Sequence, residues 1–295
     1  VYEGQIMTTE QDFIQGQKVS REFYNLTEQD EKDLLKDFPD KKYFEFLYHA
    51  WHNGLTDDLD KQWNDWKPWQ AWSYPIGDLI RYQKMLLDNR ELIKDAKVAV
   101  IGSHIGVEIL FALNIGAKHC VGVEPVLGKN RLAMFVCEKA GFKNFEIITG
   151  ELKHEEIYND LQGYDTLILG GLVDMIPDHY RLIDNVSTTG IKNIIIEVGE
   201  KEHSQSDVPN ITWKHFGEDE HSYGPYNPSV KSAIHGFPNL AFLKMLLGEF
   251  GYEFVKQDLY DHINSGRGEP KPRSVSLFRK MPVDVIGKDV NLKNE

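Results

Sequence analysis

The chain has 295 residues, a formal net charge of −13 and two cysteines, enough length for one substantial core plus an extension. The negative balance argues against nonspecific nucleic-acid binding, which needs Lys and Arg to neutralise phosphates, and leaves open only a local basic groove. No eighteen-residue apolar run and no basic leader is present, and Cys120 and Cys137 fall in apolar surroundings suited to buried free thiols, so a soluble cytoplasmic protein without a membrane partner is expected.

Residues 1–40 are polar and acidic, and Thr27-Glu28-Gln29-Asp30 resembles a helix amino cap ahead of Glu31 to Leu35. Tyr43 to Trp51 carries enough apolar bulk to pack on a larger core. Trp63, Trp66, Trp69 and Trp72 follow at a spacing of three, and five of the six tryptophans lie between Trp51 and Trp72. These rings either anchor the extension to the core, the preferred reading, or form an aromatic wall over a site. Asp57, Asp58, Asp60 and Asp65 among them disfavour stacking on single-stranded nucleic acid. A helix is expected from Ile76 to Lys94, with Tyr74, Arg81 and Tyr82 as candidates for substrate contact.

The segment Val98-Ala99-Val100-Ile101-Gly102-Ser103-His104-Ile105-Gly106 then reads as a buried parallel strand and a glycine turn into the helix Val107 to Leu113. Gly102 suits a backbone conformation closed to other residues, and Gly106 a close approach of helix to strand and ligand. Gly116 to Pro125 reads as turn and second strand, with Glu124 at its carboxyl end, eighteen residues after Gly106. A carboxylate there accepts hydrogen bonds from both hydroxyls of a ribose. The pattern therefore predicts a nucleoside-cofactor site. Dinucleotide folds use G-x-G-x-x-G to seat a pyrophosphate, whereas this loop is G-x-x-x-G with the His104 imidazole in the middle.

Further strands are expected at Phe145 to Thr149, Tyr164 to Leu169 and Ile191 to Val198. A helix from Asn239 to Phe250 and strands at Gly251 to Val255 and Arg273 to Lys280 close the pattern. With the loop and Glu124, this succession over residues 95–281 resembles the class I S-adenosylmethionine-dependent methyltransferases; no subfamily is distinguished. The resemblance implies an α/β, doubly wound, mostly parallel seven-stranded sheet with a final antiparallel strand, in a Rossmann-like domain at 91–281. A mainly helical, Trp-rich extension precedes it at 1–90, and a loose tail follows at 282–295. It also implies S-adenosyl-L-methionine as cofactor, held by Gly102, Ser103, His104, Gly106, Glu124, Pro125, Glu151, Leu152, Gly170 and Gly171. Glu151 and Leu152 would contact adenine, although Glu151 equally suits a helix amino end. The family's first strand ends in an acidic residue where this chain has Val100 and Ile101; Glu108 on the first helical turn, or a backbone carbonyl, is the substitute.

Residues just after each strand line the ligand crevice of such a sheet. In Gly170-Gly171-Leu172-Val173-Asp174-Met175-Ile176-Pro177-Asp178-His179, Asp174 and His179 are the candidate catalytic proton acceptors, while Pro177 and Asp178 also read as a helix start that leaves His179 solvated. The stretch from Glu197 to Pro228 reads as a long polar loop over the crevice. His215, Glu218 and His221 recur there every three residues without a recognised metal motif, so no metal is expected. Together with Tyr223, Tyr226 and His235, the same His221 is a possible acceptor contact. The leading expectation is transfer of a methyl group to a small-molecule or sugar-like acceptor, most simply a hydroxyl. The alternatives are a methyltransferase-fold nucleoside-binding protein without transferase activity, and an NAD-dependent oxidoreductase.

Overall fold

The computed structural model describes residues 27–52, 55, 57–66, 76–199, 206–216, 233–262 and 271–282. Five short strands alternate with helices through its centre: β1 Lys97–Ile101, β2 His119–Val123, β3 Phe145–Ile148, β4 Thr166–Gly170 and β5 Asn193–Gly199. A small hairpin, β6 Ile211–Phe216 and β7 Ala233–Pro238, precedes the two long strands β8 Tyr252–His262 and β9 Lys271–Lys280. The main sheet has seven strands in the order β3-β2-β1-β4-β5-β9-β8. All its pairings are parallel except those of β9, which lies antiparallel between β5 and β8. The expected closing antiparallel strand is therefore β9, and it is interior to the sheet.

Successive residues of a strand face opposite ways, and both faces here are apolar. Val98 and Val100 belong to one buried cluster and Ala99 and Ile101 to the other. The first face is covered by α5 Val107–Ile115 and α6 Leu127–Lys139, which follow β1 and β2. The second carries α7 Glu156–Asp160, α8 His179–Ser187 and α9 Leu240–Glu249. Chain order reverses between β1 and β4, so the crevice beyond their carboxyl ends is the switch point where ligands bind in sheets of this kind.

The extension contributes α1 Glu28–Leu35, α2 Lys41–His52, α3 Leu59–Asp65 and α4 Ile76–Met85. Thr27 caps α1 in the expected manner: its hydroxyl accepts from the Asp30 amide, and the Asp30 carboxylate accepts from the Thr27 amide. Phe38, Phe44, Phe46, Leu47, Ala50 and Trp66 join the cluster on the α5–α6 face, so extension and sheet share one core. Trp63 stacks on Tyr43 and meets Phe46 edge-on at 4.8 Å, and both it and Phe46 contact Phe135 of α6. Trp63 and Trp66 are thus anchors; Trp69 and Trp72 lie outside the described residues.

Two expectations about elements are corrected. The helix from Ile76 to Lys94 stops at Met85, because the Asn89 amide group folds back to donate to the carbonyls of Lys84 and Met85, and a 3₁₀ segment Leu87–Leu92 follows. The stretch read as one long loop after β5 contains β6, whose Ile211-Thr212-Trp213 pairs with Gly236-Phe237-Pro238 of β7. Cys120 and Cys137 are buried and unbridged as expected, and burial pushes both thiols above their usual range, that of Cys137 to about 12.

Candidate active site

The turn after β1 is built by backbone geometry. Gly102 and Ser103 both donate to the carbonyl of Val123 at the end of β2, with Gly102 at φ 72°. Gly106, at φ 87°, starts α5; a Cβ there would lie 2.4 Å from the Cβ of Ala133. The close approach that requires glycine is therefore to α6, not to the strand. His104 also takes a positive φ, 49°.

Glu124 is almost wholly buried beside this turn. One carboxylate oxygen accepts from the His104 amide at 3.2 Å, the other from the Val126 amide at 3.1 Å, and the Lys129 ammonium lies 3.6 Å away. The two amides aim the carboxylate, and each oxygen keeps a second lone pair. Asn130 donates to the Glu124 carbonyl and to the Thr149 hydroxyl, both at 2.9 Å, and so ties the ends of β2 and β3 together. Over this group lies Trp51 of α2, edge-on to His104 at 4.6 Å and beneath the Lys129 ammonium at 4.9 Å. Trp51 thus packs over the turn that carries His104 while also bordering the apolar cluster that Trp63 and Trp66 join.

The second half of the crevice is a charged cluster at the ends of β4 and β5. Gly170 and Gly171 turn the chain here, and a Cβ on Gly170 would stand 3.1 Å from Arg81 Nη2, from Glu108 Oε1 and from Met85 Sδ. Arg81 reaches down from α4, with Nη2 3.4 Å from Glu108 of α5 and 3.1 Å from Glu197 Oε2 of β5. The other Glu197 oxygen accepts from Tyr260 of β8 and from Arg273 of β9, each at 2.6 Å. Burial alone would raise the Glu197 carboxyl, but the charges of Arg273 and Arg81 override it and hold it at about 2. Burial likewise opposes the charge on Arg81, and Glu197, Tyr82 and Glu108 more than restore it.

Asp174 sits in a 3₁₀ turn, Val173–Met175, beside this cluster. Burial raises its carboxyl to about 6 against the pull of Arg273, and Glu197 adds to the rise. Its Oδ1 is buried without a hydrogen-bond partner among the described residues, and its Oδ2 faces Gly199 next to Phe237 of the β6–β7 hairpin. Among the described residues Ser103 Oγ, Arg81 Nε and Glu197 Oε2 are also buried without hydrogen-bond partners; the Glu197–Arg81 approach at 3.1 Å is an ion pair off the line of a hydrogen bond. Buried polar atoms of this kind normally have partners, and the two carboxylate oxygens, of Asp174 and Glu197, belong to one charged cluster, which fits a polar ligand.

The positions expected to hold a cofactor fall at the carboxyl ends of their strands. Gly102, Ser103, His104, Gly106 and Glu124 adjoin one another, Pro125 is exposed beside them, Gly170 faces Arg81 and Glu108, and Gly171 faces Glu197, Arg81 and Arg273. Glu151 and Leu152 follow β3; Glu151 pairs with Lys153 at 2.7 Å on the surface, and the Leu152 carbonyl accepts from Tyr158. His179 is not solvated. It is buried at the start of α8, with Nε2 donating to the Val173 carbonyl at 2.9 Å and the Gly236 carbonyl also within its reach, so that nitrogen is occupied as a donor and cannot accept a proton. Tyr82 stacks on Phe111 within the core rather than facing a substrate. Tyr74, Glu218, His221, Tyr223 and Tyr226 lie outside the described residues; His215 and His235 lie in the hairpin.

Sequence reasoning missed Glu197, Tyr260, Arg273, Lys129 and Asn130 as site residues. The available signal was Glu197 itself, a lone carboxylate in the apolar run Ile194-Ile195-Ile196-Glu197-Val198.

The strand order, the switch-point crevice and the closing β8–β9 pair define the fold of the class I S-adenosylmethionine-dependent methyltransferases. Among solved structures, the chain is similar to a protein named as an S-adenosylmethionine-dependent methyltransferase from Listeria monocytogenes, with a TM-score of 0.51 and 13% identity over 70% of this chain and 99% of that one. It is also similar to one so named from Mesorhizobium loti, with a TM-score of 0.50 and 11% identity over 69% of this chain and 98% of that one. A protein named as an RNA methyltransferase from Pyrococcus horikoshii gives 0.50 and 13% identity over 72% and 88%. No family model and no curated protein sequence matches the chain.

Proposed function

We propose that the crevice binds S-adenosylmethionine and that the chain transfers its methyl group to a hydroxyl of a small-molecule or sugar-like acceptor. When bound, this cofactor supplies a methyl group on a positively charged sulfur, already activated for attack. The protein then has to hold the acceptor oxygen in line, exclude water and receive a proton. Gly102 and Gly106, both at positive φ, shape the turn that the nucleoside would lie against, and Glu124, aimed by the His104 and Val126 amides, accepts from the ribose hydroxyls. Glu108 takes the place of the missing first-strand acid, since its carboxylate lies beside Gly170 where the two halves of the crevice meet. Glu151 and Leu152 are assigned to the adenine, and Ser103, Pro125 and Gly171 to the walls around the cofactor.

Asp174 is the observation that carries the choice of a hydroxyl acceptor. Among the described residues Asp174 makes no ion pair, whereas Glu108 and Glu197 both lie within reach of Arg81, and Glu197 also of Arg273. An alcohol must lose its proton as it is methylated, and a buried carboxylate that titrates near neutral pH with an unpartnered oxygen is suited to receive it. Taking up that proton would leave Asp174 neutral, the state that its burial favours. His179 holds the Asp174 turn in place through the Val173 carbonyl and is a positioning residue.

The test is radiolabelled methyl transfer from S-adenosylmethionine to fractionated polar metabolites. The expected product carries its methyl in an alkali-stable ether. Label released as methanol by mild alkali, or carried on nitrogen, would overturn the hydroxyl assignment.

A further inference from the structure

Arg81 occupies an unusual place. Its guanidinium belongs to the extension, yet it lies inside the crevice at the switch point, between carboxylates from α5 and β5 and over a glycine turn that puts no side chain in its way. Arg81 is one of two cations on Glu197: Arg273, with Tyr260, holds the other carboxylate oxygen at 2.6 Å, so part of the neutralisation of Glu197 stays when Arg81 moves. The Arg81 contacts are the looser ones: 3.4 Å to Glu108, 3.1 Å and off-line to Glu197, and 3.4 Å from Nη1 to the Tyr82 hydroxyl, with its own Nε buried and lacking a hydrogen-bond partner among the described residues. A guanidinium with five donors in a dicarboxylate site would ordinarily form a tight, parallel pair.

We propose that Glu108 and Glu197 form a cation subsite, filled by the chain's own Arg81, and that the cationic amino end of the bound nucleoside displaces Arg81 from Glu108. This rests on the nucleoside reading of the crevice. The exchange replaces one cation by another, so it avoids stranding a buried carboxylate, the step that would otherwise be most costly. Long and flexible, the Arg81 side chain can withdraw by rotamer change while α4 stays packed. Arg81 is therefore a competitor that sets cofactor affinity and ties ligand entry to the extension.

Isothermal titration of wild type, Arg81→Met and Arg81→Lys with S-adenosylhomocysteine and with 5′-methylthioadenosine, the same nucleoside lacking the amino-acid end, tests the exchange. Arg81→Met should bind S-adenosylhomocysteine about tenfold more tightly, a coupling of ordinary size, and methylthioadenosine unchanged. Arg81→Lys, which keeps the charge, should show no gain, and adding Glu108→Gln to Arg81→Met should erase it. Weaker or unchanged S-adenosylhomocysteine binding by Arg81→Met, with methylthioadenosine still bound, overturns the proposal and leaves the nucleoside reading intact. A second measurement needs no nucleoside. Ethylammonium chloride should raise the melting temperature of Arg81→Ala, but not of wild type, above that in sodium chloride of equal ionic strength, and Glu108→Gln should abolish the rise. That rise without binding of either nucleoside would keep the cation subsite and remove the nucleoside; its absence would overturn the subsite.

Discussion

Arg81 Nη2 and Glu197 Oε2 stand 3.1 Å apart and join the amino-terminal extension to the far end of the sheet's fifth strand. Neither residue has an obvious role in its own segment. Together with Glu108, Tyr260 and Arg273 they make a buried network that the fold assembles from five elements around the glycine turn after β4.

Breaking this network from its centre should be costly. Glu197→Gln leaves Arg81 and Arg273 buried beside a neutral amide, and the expected loss is roughly 3–5 kcal/mol of stability at neutral pH. The Glu197 carboxyl is lowered from 4.5 to about 2, so its contribution is fully present above 4.5 and lost as the pH falls through 2. Chemical denaturation across that range should show the wild-type advantage over Glu197→Gln shrinking with acid.

Asp174 should behave in the opposite sense. Its carboxyl is raised from 3.8 to about 6, so the ionised form costs stability above pH 6, and relief is complete below 3.8. That rise corresponds to as much as about 3 kcal/mol, so Asp174→Asn should melt higher than wild type at pH 7.5 and lose the advantage at pH 4. The same variant should lower methyl transfer by about 10²- to 10⁴-fold without weakening S-adenosylhomocysteine binding, and wild-type turnover should rise with pH through an apparent pKa near the Asp174 value. A variant that is both less stable and fully active would refute the assignment.

Gly106 should tolerate no side chain. Its φ of 87° and the 2.4 Å separation from Ala133 that a Cβ would have predict that Gly106→Ala loses about 1–3 kcal/mol through forced displacement of α6. Pairing it with Ala133→Gly should recover part of the loss in melting temperature, because the steric half of the problem is then removed.

The parts of this molecule legible in its sequence were those whose partners lie close along the chain. Val98 to Glu124 spells strand, turn, helix, strand and acid within one short span, and each of those elements lies where its residues indicate. The Thr27 cap was legible for the same reason, and so was the closing α9–β8–β9 unit, except that β8, expected at Gly251 to Val255, runs on to His262. What stayed hidden depends on strand order. Glu197 meets Tyr260 and Arg273 across 63 and 76 residues, and no local pattern announces that β9 inserts beside β5. The end of α4 was missed because a single side chain, Asn89, takes up its last carbonyls in place of the next helical turn. The tryptophans divided by tertiary contact: identical in type, Trp63 and Trp66 fill core whereas Trp51 faces His104.

Glu124 carries the central claim, because it is the one acid whose position after β2 was predicted from spacing and whose carboxylate is aimed by two backbone amides. The direct test is isothermal titration of wild type and Glu124→Ala with S-adenosylmethionine, S-adenosylhomocysteine and NAD, with circular dichroism to verify folding. Saturable binding of the two sulfur nucleosides and not NAD is predicted, weakened by about 10- to 100-fold in the variant, as loss of one or two hydrogen bonds to a charged group would give. Binding of NAD alone, or sulfur-nucleoside binding that a folded Glu124→Ala leaves unchanged, would contradict the account.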